Sequence, residues 1–352
     1  PRWSSMGYLS DDDRFATPGL HVNGWYDQGV SETLLAADLM RRHAVDERAK
    51  IQPVIIGPGL HCVDPGPARG KVGDIEYENA DQPFTGTYLR WLAAWLEDDA
   101  KGFSDLPPYQ VFVLNENRWL SSQTWPPQGT RVQRWHLDGA GAANTRMGDG
   151  RLVRAPPQTT ALADRFVSDP ANPVPTRGGA FCCTGDDRAR EGPVDQVDVE
   201  TRPDVLVYTS EPLPAPLRIV GPLSAVLEVS TDAPDADFVV KLVDVRPDGR
   251  ALNIQSGVLR LRYRDSFVAP TLVVPRQRYA VRVRLRDIAY QVGAGHRLRL
   301  QIAGSDFPRL ERNLHTGGRN YDEVTGRVAE QRVHHGAGVD AYVELPVFEA
   351  AP

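Results

Sequence analysis

Cysteine is nearly absent from this 352-residue chain, which holds only Cys62, Cys182 and Cys183. Three thiols cannot build a disulfide framework, and the vicinal pair 182–183 is awkward to bridge, so those two are expected to pack rather than to act as a redox site. Lysine is almost as rare, with four (Lys50, Lys71, Lys101, Lys241) among forty basic residues; that bias points to a high-GC genome rather than to a function. A basic excess is missing altogether. At a net charge of −6 no surplus of cations exists to neutralise phosphates, which excludes a general nucleic-acid binder. Long apolar runs are missing too. None approaches a membrane span and no signal-peptide pattern opens the chain, so no membrane contact is expected and a soluble protein is, with the cytoplasm slightly favoured. A Gly-rich phosphate loop, Zn-type cysteine spacing and HExxH are all lacking, which leaves no cofactor and no metal to expect.

What is present suffices for a large core and two domains. The first hundred residues alternate strand and helix. Residues 20–25 and 52–57 ("QPVIIG") read as short buried strands. Residues 31–43 read as a helix carrying Leu34, Leu35, Leu39 and Met40, and 85–100 as a second with Tyr88, Leu89, Leu92, Trp95 and Leu96. Near-continuous apolar strands joined by helices make a parallel sheet. Two strands are too few for a stable open sheet, so this unit, 1–106, is expected to be part of a larger α/β domain.

From "LPPYQ" (106–110) the period changes, and Val111 and Val113 begin a run of strands that becomes plain beyond 200. Leu259, Leu261 and Tyr263 interleave with Arg260, Arg262 and Arg264; Val281, Val283 and Leu285 with Arg282, Arg284 and Arg286; Leu298, Leu300 and Ile302 with Arg297, Arg299 and Gln301. Period two with one charged face indicates half-buried antiparallel strands, the arginines facing solvent. Turns at "RPDGR" (246–250) and "GAGH" (293–296) separate them. The second unit, 107–352, is therefore expected to be a β-sandwich of jelly-roll type, with long loops laid over it between about 140 and 200. The fold class is α/β plus β.

Chemistry concentrates at two strand ends. Leu20 to Tyr26 stops on Asp27, and the second strand runs into Gly57-Pro58-Gly59-Leu60-His61. Carboxyl edges of parallel strands are where open α/β sheets place their sites. A strand-end Asp followed one βα unit later by a strand-end His has the chain order of the last two members of a Ser…Asp…His triad. The imidazole would carry the nucleophile's proton to the leaving group, and the carboxylate would hold it in the useful tautomer. The plainer alternative makes Asp27 a helix cap and His61 a structural loop residue. Trp25, Tyr26 and Leu60 are candidates to line an acyl pocket, although aromatics at such positions are more often core. His315, His334 and His335 are placed in sandwich loops without ligand spacing.

"GWYD" (24–27) and "GPGLH" (57–61) resemble paired stretches of the X-Pro dipeptidyl-peptidase and cocaine esterase-like serine hydrolases, the CocE/NonD family. "NRWLSSQTWPP" (117–127), "DPANPVPTRGG" (169–179), "DVLVYTSEPL" (204–213), "GHRLRLQIAGSDFPR" (295–309) and "RNLHTGG" (312–318) resemble that family's jelly-roll domain, in order. The resemblance implies the C-terminal part of an α/β-hydrolase domain (1–106, including the end of a cap in "PRWSSMGYLSDDDRF") followed by a jelly roll. It also implies Asp27 as triad acid, His61 as triad base and a small ester or amide as substrate.

The family's Gly-x-Ser-Tyr-x-Gly elbow has no match here. Ser31 and Ser104 follow a glycine at helix ends rather than on an elbow, and Cys62 points away from its neighbour His61. The chain, which starts at Pro1, is accordingly expected to be a C-terminal fragment, inactive by itself, with the nucleophile on an N-terminal partner segment; a homo-oligomer is compatible with the sequence. Residues Gln28, Gly29 and Val30 offer no carboxylate before Glu32, where the family's α-amino acid ester hydrolases place acids that hold the substrate ammonium. A neutral acyl substrate is thereby favoured, without excluding dipeptidyl-peptidase-like activity. The rival reading is a non-catalytic binding or assembly protein that uses its jelly roll.

Overall fold

Two apolar strands, β1 (His21–Tyr26) and β2 (Val54–Leu60), run parallel, with helix α1 (Val30–Arg42) between them in sequence. The computed structural model describes residues 9–61, 69–96, 106–182, 189–319 and 321–349. Cys62, Cys183, Ser104 and the first eight residues of the suggested cap segment lie outside the described residues. Helix α1 buries Val30, Leu34, Ala37 and Leu39, a stripe at helical spacing that faces the sheet. Glu32 in its first turn and Arg41 and Arg42 in its last suit the helix dipole. Arg41 also ties the helix to the sheet, donating to Gln52 O (2.6 Å) and to the Tyr109 hydroxyl (2.7 Å).

The sheet does not end where the change of period suggests. A small hairpin, β3 (Arg69–Val72) and β4 (Ile75–Glu78), and helix α2 (Phe84–Leu96) follow β2. Then β5 (Tyr109–Val113) pairs with β2 in parallel, and β6 (Arg118–Ser122) pairs with β5 antiparallel, giving the order β1-β2-β5-β6. The expected boundary at 106/107 thus falls before two strands that join the first sheet. Alternation can identify a strand, but which edge it joins depends on partners distant in sequence. Between β5 and β6 the chain turns at Asn115 and Asn117, both with positive φ (65° and 52°), a conformation asparagine tolerates better than most residues.

The rest of the described chain is all-β. Its strands are β7 (Thr130–Asp138), β8 (Arg151–Val153), β9 (Leu162–Ser168), β10 (Val205–Thr209), β11 (Leu217–Gly221), β12 (Ser224–Thr231), β13 (Asp237–Val245), β14 (Ala251–Arg260), β15 (Tyr279–Arg284), β16 (Ile288–Val292), β17 (Arg297–Ala303), β18 (Ala329–His335) and β19 (Tyr342–Phe348). One run is ordered β14-β13-β17-β10; a second, β7-β19-β12-β18-β9, carries β11 on β19 and β15 on β12, and β8 links the two runs. "RPDGR" forms the β13–β14 turn, with Arg246 N–H donating to Arg250 O and Gly249 at φ +91°. The 140–200 region holds more than loops, since β9 pairs with β18 along its full length.

The arginine rows split. Arg282 and Arg284 on β15 are exposed as expected. Arg299 and Gln301 on β17 are instead buried around the fully buried carboxylate of Glu200. Arg260 forks onto Asp237 (2.8 and 2.9 Å), and Arg262 pairs with Asp235 (2.6 Å), all four side chains being largely buried. The residues after Arg260 form a 3₁₀ turn rather than more strand. A charged alternate face is solvated only where nothing packs over it.

The α/β sheet and the all-β domain share one core, in which Trp25, Tyr26 and Phe112 pack with Leu252, Ile254 and Tyr290. Backbone bonds also cross the junction, Leu114 N–H to Ala289 O (3.0 Å) and Gln291 N–H to Leu114 O (2.9 Å). No described helix is long and apolar enough to cross a membrane.

Candidate active site

The β1–β2 register delivers the two candidate residues to one place. His21 lies opposite Val54, and the pairing continues to Gly24 opposite Gly57 before a shift puts Tyr26 opposite Leu60. The next residue on each strand is Asp27 or His61. Close approach of the strands at this shift requires glycine, since a Cβ on Gly24 would stand 2.5–2.7 Å from the Gly59 backbone.

His61 Nδ1 and Asp27 Oδ2 are 2.6 Å apart, across 34 residues of sequence. The other carboxylate oxygen, Oδ1, accepts the Gly29 N–H (2.6 Å) just before α1. Asp27 therefore shapes the turn before Gly29, the N-cap residue of α1, and holds the imidazole with its other oxygen, while making no side-chain cap to the helix itself. With Nδ1 committed to Asp27, Nε2 is the nitrogen left for proton transfer. His61 keeps 29% of its side-chain exposure and Asp27 keeps 15%, enough for the ring to meet a solute while its carboxylate stays shielded.

The other candidates separate. Trp25 and Tyr26 are 0% exposed, so in this chain they present no surface to a ligand. Trp25 donates its indole N–H to Phe112 O (2.7 Å) and packs on Trp125. The Tyr26 hydroxyl is buried without a hydrogen-bond partner, and burial, with Asp244 nearby, raises its pKa far above the ordinary phenol range. Leu60 is half-buried beside His61. Ser31 sits in the first turn of α1, its hydroxyl accepting the Asp287 N–H (2.9 Å), which is a helix-end contact and not a nucleophile elbow.

The three histidines expected in sandwich loops lie within the all-β domain. His334 and His335 lie on β18 rather than in a loop, and His315 is buried in one. Burial and nearby arginines hold His334 at about 4, while burial also lowers His315. His335 Nε2 lies 2.7 Å from Asp164 Oδ2, both side chains fully buried. Burial alone would raise Asp164, but His335, the Ala143 N–H and the Tyr208 hydroxyl together bring its carboxyl below the usual range. Among the described residues no cluster of three or more His, Cys, Asp or Glu is arranged to hold a metal. Cys182 is half-buried.

Sequence reasoning missed the contacts that the all-β domain makes with the Asp27 turn. Gln255 Nε2 donates to Trp25 O (2.9 Å), and Arg286 Nε donates to Gln28 O (3.0 Å). Trp125, within the quoted "QTWPP", donates its indole N–H to Asp287 Oδ1 (2.7 Å). Beside them a groove of about 770 Å³ opens between α1 and the all-β domain, lined by Ser31, Glu32, Leu35, Trp125 and Leu285 among others. Neither Asp27 nor His61 lines it.

Comparison with known proteins matches residues 101–344 to the X-Pro dipeptidyl-peptidase C-terminal non-catalytic domain. A cocaine esterase of Rhodococcus sp. (strain MB1 Bresler) is 33% identical over 349 residues, covering 99% of this chain and 59% of that protein. Among solved structures, an aminopeptidase from a marine sediment archaeon (Thaumarchaeota) superposes with TM-score 0.83 at 26% identity. An α-amino acid ester hydrolase superposes with TM-score 0.78 at 27% identity. Each structural match covers 96% of this chain and 56% of the other. The chain thus spans somewhat more than half the length of these relatives.

Proposed function

The chain belongs to the cocaine esterase-like CocE/NonD family and carries its X-Pro dipeptidyl-peptidase C-terminal domain, and from that premise we propose that it supplies the acid and base of a serine hydrolase. The observation that carries the reading is the 2.6 Å Asp27–His61 contact at the carboxyl ends of two parallel strands, with the imidazole partly exposed. In the cycle, His61 Nε2 takes the proton of a serine hydroxyl as its oxygen attacks the acyl carbon. The same proton then goes to the departing alcohol or amine. Water, deprotonated in turn by His61, attacks the acyl carbon, and the imidazolium returns that proton to the serine oxygen as the acid product leaves. Asp27 fixes the tautomer and offsets the imidazolium charge.

The serine belongs, on this reading, to a segment outside these 352 residues that adds to the sheet at β1. Among the described residues that strand pairs on one side only, with β2, and an apolar strand with an open edge calls for a neighbour. The all-β domain is read as the jelly roll and the first sheet as part of an α/β-hydrolase domain. The relatives named as cocaine esterase, aminopeptidase and α-amino acid ester hydrolase share acyl-bond cleavage, which supports an ester or amide substrate. The absence of a carboxylate between Asp27 and Glu32 favours a neutral acyl group.

Binding without catalysis has one observation in its favour: the matched domain is described as non-catalytic. Asp27 and His61 lie outside the matched range, so that description does not touch them. A serine-directed fluorophosphonate applied to the protein as purified tests the choice. Labelling of a polypeptide bound to this chain, abolished when His61 is replaced by alanine, supports the hydrolase; absence of labelling anywhere favours the binder.

A further inference from the structure

We infer that the all-β domain sets the position of the acid, with Gln255 and Arg286 as positioning residues for Asp27; the inference rests on Asp27 and His61 forming a catalytic pair. The segment from Trp25 to Ser31 is held at three points by residues more than 200 positions away. Gln255 Nε2 donates to Trp25 O (2.9 Å), Arg286 Nε to Gln28 O (3.0 Å), and the Asp287 N–H to Ser31 Oγ (2.9 Å). The anchors bracket Asp27 on both sides in sequence. They are also joined to one another, because Gln255 Nε2 lies 3.4 Å from Asp287 O and the Trp125 indole holds the Asp287 side chain.

The sheet leaves room for such anchors. Trp25 falls at the register shift of β1 and has no residue opposite it on β2, so its buried carbonyl gains from a donor supplied elsewhere. Gln255 is 0% exposed and follows a bulge in β14, where the β13 register passes from Gln255 to Asn253 and leaves Ile254 unpaired. Bulges of this kind re-aim neighbouring side chains. On the far side of Asp27, Gln28 O lies outside α1 and is free to accept from Arg286. A displacement of about 1 Å in an acid that orients a base is enough to weaken catalysis, so three cross-domain bonds at this turn bear directly on the geometry of the pair.

The test reads the His61 Nδ1 proton rather than turnover. In the wild-type chain, proton NMR should show a downfield resonance that disappears in both Asp27→Asn and His61→Ala. In Arg286→Ala and Gln255→Met its exchange with solvent should quicken roughly fivefold to tenfold, the effect of one ordinary hydrogen bond lost, while near-ultraviolet circular dichroism stays unchanged. Arg286→Lys, which keeps a donor for Gln28 O, should restore slow exchange; a purely structural role would not separate alanine from lysine. If the buried Gln255→Met variant does not fold, the Arg286 pair decides alone. Wild-type exchange in folded Arg286→Ala would overturn the inference and leave the Asp27–His61 reading standing. A resonance indifferent to Asp27→Asn would overturn that reading and the inference together.

Discussion

Among the described residues three Asp–His pairs are of nearly equal length, Asp27–His61 at 2.6 Å and Asp164–His335 and Asp244–His296 at 2.7 Å, and the first two make the plainest contrast. They differ in where the fold puts them. The first sits at the ends of two parallel strands with its imidazole 29% exposed, whereas the second is 0% exposed inside the all-β domain. Asp164 also accepts the Tyr208 hydroxyl and the Ala143 N–H, so the pair sits among buried groups, and the far ring nitrogen of His335 is sealed from solvent without a partner. Asp27 spends its second oxygen on the turn that begins α1 and leaves the far nitrogen of His61 uncommitted. A dyad is therefore weighed as a candidate site by the solvent access of its ring and its place in the fold, not by the contact itself.

The sharpest way to break the comparison is to remove each pair in turn. His61→Ala, assayed with the nucleophile present, should lower kcat by several orders of magnitude, and Asp27→Asn by about 10⁴, both with little change in melting temperature. Asp164→Ala should do the opposite. It strands the buried His335 ring, Tyr208 hydroxyl and Ala143 N–H, and should cost roughly 3–5 kcal/mol in urea unfolding, with residual activity following the folded fraction.

Beside the buried pair, His334 gives the contrast a pH dependence. Its folded value of about 4 lies below the ordinary 6.5, so the unfolded chain binds the proton more tightly. Stability is then fully present above about 6.5 and is lost as pH falls toward 4, at about 1.4 kcal/mol per pH unit at most. Urea unfolding from pH 7 to 4 should show this slope, and His334→Gln should flatten it. The smallest effect is expected at Gly24. Gly24→Ala forces a methyl against the Gly59 backbone and should cost about 1–3 kcal/mol, together with loss of the Asp27-dependent His61 proton signal, while the Asp164–His335 region keeps wild-type hydrogen exchange.

Much of the site could be read from the chain alone. Both β-strand ends, the helix between them and the Asp27 and His61 positions followed from short apolar runs stopping at polar residues. The observed elements, His21–Tyr26, Val30–Arg42 and Val54–Leu60, lie within a few residues of those expected. Such features are local, because strand and helix periods are written in consecutive side chains. Hairpin turns were legible for the same reason, as Gly249 shows with its positive φ. The histidines 334 and 335 were misplaced into loops because two adjacent histidines carry no period.

What the sequence determined by itself, then, was the kind of the first elements, β1, α1 and β2, and the strand ends that carry Asp27 and His61. Tertiary structure alone decided that β5 and β6 join the first sheet, that Arg299 is buried against Glu200, and that Trp25 and Tyr26 are core. It also decided that Gln255 and Arg286 reach back to the Asp27 turn. Each of these depends on which distant surfaces meet, 230 residues apart for Gln255 and Trp25. Desolvation acts on a side chain only once those surfaces have closed over it.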